Sequence, residues 1–248
     1  MRPPCKKVGK CKYLSVIKQL FILSQLNYLD LLDSLAQFAE NSRKKKMEEY
    51  MRNQFVFMGV MATERKECFK NWFQNLEIKS EENLLLLANQ MWRSEFRELK
   101  YCTIDLMLKF KKHWTKKSYM FFLDMIVIES WWDTVDMIAS NLVGKYLLSH
   151  EPEIWEKESQ AFIDSNNLWL QRTSLIFQLK YKDRLHKTLL ESNIKQLKAD
   201  KEFFIQKAIG WSLREASKTN PVWVRDVIHR LEIEGLAKKE ASKYLNNL

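Results

Sequence analysis

Aromatic residues at a near-constant spacing constrain the fold of this chain more than any other feature. Four helical segments begin with an aromatic residue, and successive separations are 36, 37 and 35 residues, at Phe96, Trp132, Trp169 and Phe204. A period in this range is typical of stacked helix pairs, in which neighbouring repeats complete one apolar core. Gly and Pro are scarce, at 5 and 4 residues, which also favours helices. We predict an all-α fold, an α-solenoid of antiparallel helix pairs.

The length and hydrophobic content of the chain favour a single domain. Hydrophobic residues make up 46% of the 248 residues, and a chain of this size buries a sizeable core most economically as one domain. Pro221 ends the fourth aromatic-led segment, and residues 222–248 are predicted to form a closing helix pair. We predict one domain at residues 28–248 and assign no function to an N-terminal extension at residues 1–27.

The net charge is compatible with a polyanionic partner but does not identify one. The formal net charge is +10, and five basic residues within the first twelve supply half of it: Arg2, Lys6, Lys7, Lys10 and Lys12. The remaining chain therefore carries about +5, which fits a nucleic-acid partner. Many proteins without such a partner carry as much charge, so the charge alone leaves the partner open.

Cysteine and histidine usage argues against a disulfide framework and against a metal site. The cysteines contain no CxxC pair and the histidines lie far apart, at Cys5, Cys11, Cys68 and Cys102 and at His113, His150, His186 and His229. Isolated histidines on helices are more often surface or packing residues than ligands, although a ligand set can assemble in space. We expect a reducing compartment, no metal and no cofactor.

The N-terminus loosely imitates a signal peptide. A basic stretch at residues 6–12 precedes an apolar run at residues 13–17, but Lys18, Gln19 and Gln25 interrupt that run. No segment reaches the roughly 18 uninterrupted apolar residues of a membrane span. We expect a soluble cytoplasmic protein without a membrane partner.

A predicted helix from about residue 131 to 147 carries two adjacent tryptophans on different faces. Residues 130–133, Ser-Trp-Trp-Asp, resemble a capping box that would fix its start. Five residues form one apolar stripe at helical spacing: Trp131, Val135, Ile138, Leu142 and Tyr146. Trp132 and Asp136 lie one turn apart on a neighbouring face. We expect Trp131 to pack in the core, which leaves Trp132 for another role.

Two later helices carry basic residues in settings that require a partner. In the helix from Phe203 to Lys218, the apolar face comprises Ile205, Ala208, Ile209, Leu213 and Ala216, and the opposite face comprises Lys207, Trp211 and Arg214. Trp211 either serves a ligand or is covered by an adjacent repeat. Arg172 lies in an apolar row and must find an anion or a set of hydrogen bonds. Bridging two repeats, holding a phosphate and orienting a carboxylate all remain open for Arg172.

Three motifs together resemble those of the AlkD-type DNA alkylation repair glycosylases. They are SWWDTVD at residues 130–136, LWLQR at 168–172, and KEFFIQKAIGW at 201–211 followed by Leu213-Arg214-Glu215. The similarity covers roughly residues 28–248. It implies a HEAT-like solenoid whose concave basic face binds duplex DNA and which excises cationic lesions such as 3-methyladenine and 7-methylguanine. We would then expect the protein to be nucleoid-associated when bound to DNA, and to be a monomer.

The resemblance also implies roles for individual residues. In that family the residues matching Trp132, Asp136, Arg172 and Trp211 form the catalytic cleft, and the match to Tyr50 lies beside the DNA. We expect Arg172, Lys207 and Arg214 to hold phosphates, and Lys111 and Lys112 to extend this electrostatic track. One departure concerns residues 59–65, Gly-Val-Met-Ala-Thr-Glu-Arg, where the proline of the family motif is missing. Its absence puts the start of that helix in question.

The chemistry of cationic purines suits these residue types. An alkylated purine that already carries positive charge leaves without protonation, so no general acid is required. Stabilising the sugar cation and admitting water needs one carboxylate, for which Asp136 is the candidate. Trp132 and Trp211 can present ring faces to the cation, each worth about 0.5 to 2 kcal/mol. We predict a monofunctional glycosylase.

Two alternative functions remain at this point. A non-catalytic paralogue could bind bent or branched DNA with the same face, and it would be expected to lose the carboxylate or its aromatic partners. A protein-binding helical scaffold would lack the whole set of Trp132, Asp136, Arg172 and Trp211. All four residues are present, which favours the enzyme.

Overall fold

The computed structural model describes residues 28–245, and its helices fall into two units, one ending at His113 and one beginning at Trp114. Within this range the chain forms helices and no extended strand, which confirms the predicted all-α class. The only β-type pairing among the described residues is a single parallel bridge between Val56 and Phe96. The proposed extension at residues 1–27 lies outside the described residues, and a single domain at 28–248 stays a prediction.

The first unit consists of five helices within the described residues. These are α1 (residues 28–36), α2 (Asn41–Tyr50), α3 (Ala62–Gln74), α4 (Glu81–Trp92) and α5 (Arg97–Lys109), followed by a 3-10 turn at Lys111–His113. Apolar side chains from α4 and α5 fill its core, including Leu84, Met91, Trp92, Ile104 and Met107, all of which are fully or almost fully buried.

A buried carboxylate in α5 organises the loop that leads into α3. Glu98 accepts hydrogen bonds from the backbone N–H groups of Met58, Gly59 and Val60, at 3.0 to 3.2 Å. Gly59 has a φ of +86°, and a Cβ at this position would lie 2.2 Å from the carbonyl oxygen of Glu40. The loop therefore needs both the glycine and the carboxylate, since buried N–H groups without partners are costly.

The missing proline does not displace the start of α3. The helix begins at Ala62, and Met61 is its N-cap residue in an extended conformation. The Met61 N–H donates to Oε2 of Glu64 at 2.8 Å, which satisfies a donor that the helix itself leaves unpaired. Arg43 donates to the same Glu64 carboxylate at 2.9 Å. These contacts fix the helix start without the fixed φ of a proline.

The second unit contains three of the four predicted aromatic-led segments, those that begin with Trp132, Trp169 and Phe204, and the closing helix pair. Its helices are α6 (Lys116–Val127), α7 (Trp132–Ile138), α8 (Gly144–Leu147), α9 (Pro152–Asp164), α10 (Leu168–Ile176), α11 (Lys187–Leu197), α12 (Phe203–Ser217), α13 (Pro221–Arg230) and α14 (Gly235–Ala241). Helix α12 ends before Pro221, as predicted, and Pro221 is the first residue of α13, one position before the predicted start of the closing helix pair. Helix α12 packs against α10 and α14, which places it at the centre of the contacts in this part of the unit.

Two details of the α7 region differ from the prediction. Ser130 does not cap α7, because its hydroxyl donates to the carbonyl oxygen of Ile126 at 2.6 Å, and Trp131 is the N-cap residue without a side-chain cap. The predicted continuous helix to residue 147 is interrupted by a π-helical turn at Ala139–Val143. The Ser140 hydroxyl donates to the carbonyl oxygen of Asp136 at 2.8 Å next to this turn. Short π-helical turns often occur beside functional residues.

The predicted apolar faces of α7 and α12 are confirmed. Val135, Ile138 and Leu142 are fully buried, whereas Trp131 and Tyr146 at the ends of the stripe are partly buried. In α12 all five residues of the predicted apolar face are buried: Ile205, Ala208, Ile209, Leu213 and Ala216. These positions follow from the 3.6-residue period, which places them on one side of the helix.

Candidate functional site

The carboxylate of Asp136 is held by a bidentate ion pair with Arg172. Nε of Arg172 donates to Oδ1 of Asp136 at 2.7 Å, and Nη2 donates to Oδ2 at 2.8 Å. The pair joins α7 to α10. Its two residues are separated by 36 positions, which matches the spacing of the aromatic-led repeats. Parallel bonds of this kind fix the plane of a carboxylate as well as its position.

Arg172 also connects this pair to α12. Its Nη1 donates to the carbonyl oxygen of Phe204, so three of the five N–H donors of a guanidinium are used in these contacts. Only 5% of the Arg172 side chain is exposed, against 15% for Asp136. Of the roles left open by the sequence, this geometry fits bridging between repeats and orienting a carboxylate. The accessible member of the pair is the acid.

Burial raises the pKa of Asp136 above its usual value. The hydrogen bonds and charge of Arg172 oppose this rise, and the nearby charge of Asp133 adds to it. The Asp136–Arg172 pair therefore lies in partly desolvated surroundings, where charges interact more strongly than in water.

Three aromatic rings pack against one another in tilted and edge-on arrangements, and they connect the same three helices. The ring centroids of Trp131 and Trp169 are 5.8 Å apart, those of Trp131 and Phe204 are 5.3 Å apart, and those of Trp169 and Phe204 are 5.0 Å apart. Trp131, and not Trp132, therefore packs with Trp169 and Phe204, the aromatic residues at the starts of α10 and α12. This arrangement confirms the prediction that Trp131 packs in the fold.

Trp132 and Trp211 occupy different surroundings. Trp132 is the first residue of α7, lies one helical turn before Asp136 and is partly exposed. Trp211 is also partly buried, and it packs against the apolar core of the second unit. Packing against the core fits the alternative in which Trp211 is covered by neighbouring helices, although its side chain is not fully buried.

A second charged cluster surrounds Glu240 in α14. Lys207 and Arg214 in α12 donate to its two carboxylate oxygens at 2.7 Å each, and Lys243 donates to Oε2 at 2.7 Å. Hydrogen bonds from Lys207 and Lys243 hold the pKa of Glu240 at about 2. Lys207 and Arg214 were predicted to contact phosphates, and the structure shows them already paired with a carboxylate. Glu240 and Lys243 were not among the residues predicted from the sequence.

Gly210 allows this cluster to form. A Cβ on Gly210 would lie 2.4 Å from Cβ of Glu240 and 2.7 Å from the carbonyl oxygen of Ala237. Any side chain at position 210 would therefore push α14 away from α12. A glycine in the middle of a helix is a sequence signal of such a close approach, and Glu240 and Lys243 form an i,i+3 pair. Together these two features could have pointed to the cluster.

The remaining predicted DNA-binding residues lie in the first unit. Tyr50 is the last residue of α2, and 70% of it is exposed. Lys111 and Lys112 are exposed in the 3-10 turn at the end of that unit. The residues predicted to contact DNA are thus divided between the two units.

The described residues offer few features for metal binding or membrane insertion. Within residues 28–245, no group of three or more His, Cys, Asp or Glu side chains is placed to hold a metal ion. Cys68 and Cys102 are buried free thiols, and burial raises the pKa of Cys102 to about 12. Cys5 and Cys11 lie outside the described residues. None of the described helices has both the length and the apolar character needed to cross a bilayer.

The fold and the site define an all-helical repeat protein with an oriented carboxylate and a separate cluster of cations. A family model for DNA alkylation repair enzymes matches residues 31–245. The chain therefore belongs to the DNA alkylation repair enzyme family.

Three solved structures are similar to this chain. A protein from Enterococcus faecalis, described as a predicted DNA alkylation repair enzyme, shares 33% identity at a TM-score of 0.78, over 85% of this chain and 99% of that one. AlkD2 from Streptococcus mutans shares 18% identity at a TM-score of 0.56, over 73% of this chain and 89% of that one. The protein smu.31 from Streptococcus mutans UA159 shares 17% identity at a TM-score of 0.56, over 85% and 99%. The last two similarities concern the fold alone. No match was found among curated protein sequences.

Proposed function

We propose that this protein is a monofunctional DNA glycosylase that hydrolyses the N-glycosidic bond of cationic alkylated purines in duplex DNA, including 3-methyladenine and 7-methylguanine. One observation carries the proposal: Asp136 is held in a fixed plane by Arg172 and keeps 15% of its side chain exposed. Membership of a DNA alkylation repair family supplies the substrate context. We further propose that the protein acts as a monomer without a metal or cofactor.

The reaction needs a negative charge beside the sugar and a water molecule. The bond between the anomeric carbon and the purine nitrogen breaks, and its electron pair neutralises the positive charge of the departing base. An oxocarbenium-like sugar cation develops, and the Asp136 carboxylate stabilises it. Water adds to the anomeric carbon and loses a proton, which leaves an abasic site and a free base. No general acid takes part, because the leaving base is already cationic.

The neighbouring residues have supporting roles in this proposal. Arg172 orients Asp136, since the bidentate pair fixes the carboxylate before the substrate arrives. Trp132 lies one turn from Asp136, and both Trp132 and the partly exposed Trp211 offer a ring face to the cationic sugar or base. Each ring contributes about 0.5 to 2 kcal/mol, so the carboxylate supplies more of the rate enhancement than either ring.

DNA binding rests on cations that neutralise phosphates. We propose that Lys207 and Arg214 in the second unit contact DNA phosphates, and that Tyr50, Lys111 and Lys112 in the first unit also contact DNA. Such binding does not read sequence, which suits an enzyme whose lesions occur in any sequence context. Affinity for undamaged duplex should weaken steeply as salt rises, because each neutralised phosphate releases counterions. A flat salt response would instead favour a protein-binding scaffold.

The direct test is release of free 7-methylguanine from methylated duplex DNA, measured by chromatography together with the abasic sites formed. We expect one abasic site for each released base and no strand cleavage. Borohydride should trap no covalent adduct, since this mechanism uses no Schiff-base lysine. Tight binding to bent or branched DNA without release of base would identify the non-catalytic alternative.

A further inference from the structure

The cluster around Glu240 combines a buried anion with exposed cations. Only 8% of the Glu240 side chain is exposed, against 36% for Lys207, 24% for Arg214 and 49% for Lys243. The carboxylate therefore lies beneath the three cations, which reach towards solvent. Each ammonium or guanidinium group has N–H donors beyond the one that contacts Glu240. The surface of the cluster thus presents donors and a net charge of +2.

Three cations at one place on a surface require an organising anion. Like charges repel, and long basic side chains lose much rotamer freedom when a ligand orders them. Glu240 reduces both costs, because it offsets the repulsion and holds the three side chains before a ligand arrives. Gly210 secures the arrangement by allowing α14 to lie against α12.

We propose that Lys207, Arg214 and Lys243 form a preorganised site for one backbone phosphodiester of DNA, and that Glu240 is its positioning residue. The proposal rests on the DNA-binding function proposed above, and it adds Lys243 and Glu240 to that function. Phosphate oxygens are acceptors that suit several converging charged donors at once. Glu240 acts through the three cations and does not touch the phosphate.

The direction in which one substitution changes the affinity for DNA tests this proposal. Glu240→Gln keeps the size of the side chain and raises the net charge of the protein by one. If the cluster contributed only charge, this variant would bind DNA more tightly. If Glu240 positions the cations, the variant binds less tightly despite its greater positive charge. We expect affinity for undamaged duplex to fall by roughly tenfold, the value of one charge-assisted contact.

The salt dependence supplies a readout that a purely structural role would not change. Dissociation constants are measured at several salt concentrations, and the slope of log K against log salt is compared with that of the wild type. Losing one phosphate contact reduces the magnitude of this slope by about one. A variant that is merely less folded shows a smaller active fraction with an unchanged slope.

A matched control separates the effect of positioning the cations from the effect of changing the net charge. Glu191 in α11 also pairs with an arginine, Arg230, and lies outside the cluster. Glu191→Gln makes the same change in net charge, and we expect its affinity to equal or slightly exceed that of the wild type. Binding by Glu240→Gln that is as tight as that of Glu191→Gln would overturn the proposal.

A second pair of variants decides the matter if Glu240→Gln does not fold. Lys243→Met removes one cation of the cluster, and Lys239→Met removes an exposed cation from α14, the helix that carries Glu240. We expect several-fold weaker binding for Lys243→Met and little change for Lys239→Met, and equal losses would refute the site. All of these measurements use undamaged duplex, so they do not depend on excision. Release of base by the wild type tests the proposed glycosylase separately.

Discussion

Asp136 and Glu240 are both carboxylates held by cations in the unit that begins at Trp114, yet their surroundings differ in two respects. Asp136 has one cationic partner, Arg172, which is itself almost completely buried, so the pair is neutral overall. Glu240 has three cationic partners, all more exposed than the carboxylate, so that cluster is positive. In the first site the acid is the accessible group, and in the second the cations are.

The pKa values of the two carboxyl groups move in opposite directions because different effects dominate at the two sites. Burial dominates at Asp136 and raises its pKa, because a single arginine does not fully compensate for lost hydration. Hydrogen bonds from lysines dominate at Glu240 and lower its pKa to about 2. The comparison shows how the number and exposure of partners decide whether an ion pair presents negative or positive charge. We assign catalysis to the first site and binding to the second.

The largest expected effect is that of Asp136→Asn, which removes the charge and keeps the size of the side chain. Single-turnover excision of 7-methylguanine should fall on the order of a hundredfold or more, because an oriented charge contributes several kcal/mol. Affinity for DNA should hold or rise, since a negative charge is lost.

The control for Asp136→Asn is Asp133→Asn in the first turn of α7. An acidic residue there interacts favourably with the helix N-terminus, so this variant should lose stability more than activity. Wild-type excision by Asp136→Asn would remove this carboxylate from the mechanism. An unfolded Asp136→Asn protein would show that the ion pair is structural.

Replacing the partner tests whether orientation matters at the first site. Arg172→Lys keeps the positive charge, but an ammonium group cannot form the two parallel bonds to Asp136. We expect excision to slow by about thirtyfold, corresponding to a loss of roughly 2 kcal/mol. Arg230→Lys is the matched control, because Arg230 also contacts both oxygens of a carboxylate, that of Glu191. Equal rates for the two variants would mean that charge alone suffices.

Substitutions of the adjacent tryptophans at the start of α7 should have different effects, one on activity and the other on stability. Trp132→Ala removes a ring face near Asp136, and we expect excision to slow by about tenfold with little change in melting temperature. Trp131→Ala breaks the contacts with Trp169 and Phe204 and should lower stability by on the order of 2 kcal/mol. The reverse pattern in thermal melts and excision assays would exchange the two roles.

The smallest expected effect is a difference in the pH dependence of the two sites. Asp136 must be ionised to stabilise the sugar cation. An ordinary aspartate has a pKa of about 3.9, and the raised pKa of Asp136 means that it gains a proton at a higher pH than this. Excision should therefore decline as the pH falls, with a midpoint above that value. Glu240 stays ionised down to about pH 2, so affinity for undamaged duplex should persist through this decline. If DNA binding and excision were lost together as the pH falls, the assignment of catalysis to Asp136 and of binding to the Glu240 cluster would be contradicted.

Much of the helical framework could be predicted from the sequence because helix formation follows local rules. The aromatic residues at a period near 36 lie at the starts of α5, α7, α10 and α12, and the closing helix pair begins at Pro221, one position before its predicted start. The apolar faces of α7 and α12 followed from their spacing. The capping role of Ser130 was wrong because a carbonyl of the preceding helix competes for its hydroxyl.

The site could be predicted only in part. The motifs identified Trp132, Asp136, Arg172 and Trp211 as candidates. The apolar neighbours of Arg172 indicated that its charge needs a partner, but the identity of that partner did not follow from the sequence. The structure supplies that partner as Asp136. Lys207 and Arg214 were identified as cations, but their shared carboxylate Glu240 was not.

The helices, their apolar faces and the need of certain charges for partners follow from the amino-acid sequence, because these depend on residues within a few turns of one another. Which charges meet depends on how distant helices pack. Asp136 and Arg172 are 36 residues apart, Lys207 and Glu240 are 33 apart, and Arg214 and Glu240 are 26 apart. Such pairs depend on how closely two helices approach, as at Gly210, and on which member of each pair remains exposed to solvent. Burial of the cation at one site leaves the carboxylate as the more exposed group, and burial of the anion at the other leaves the cations exposed.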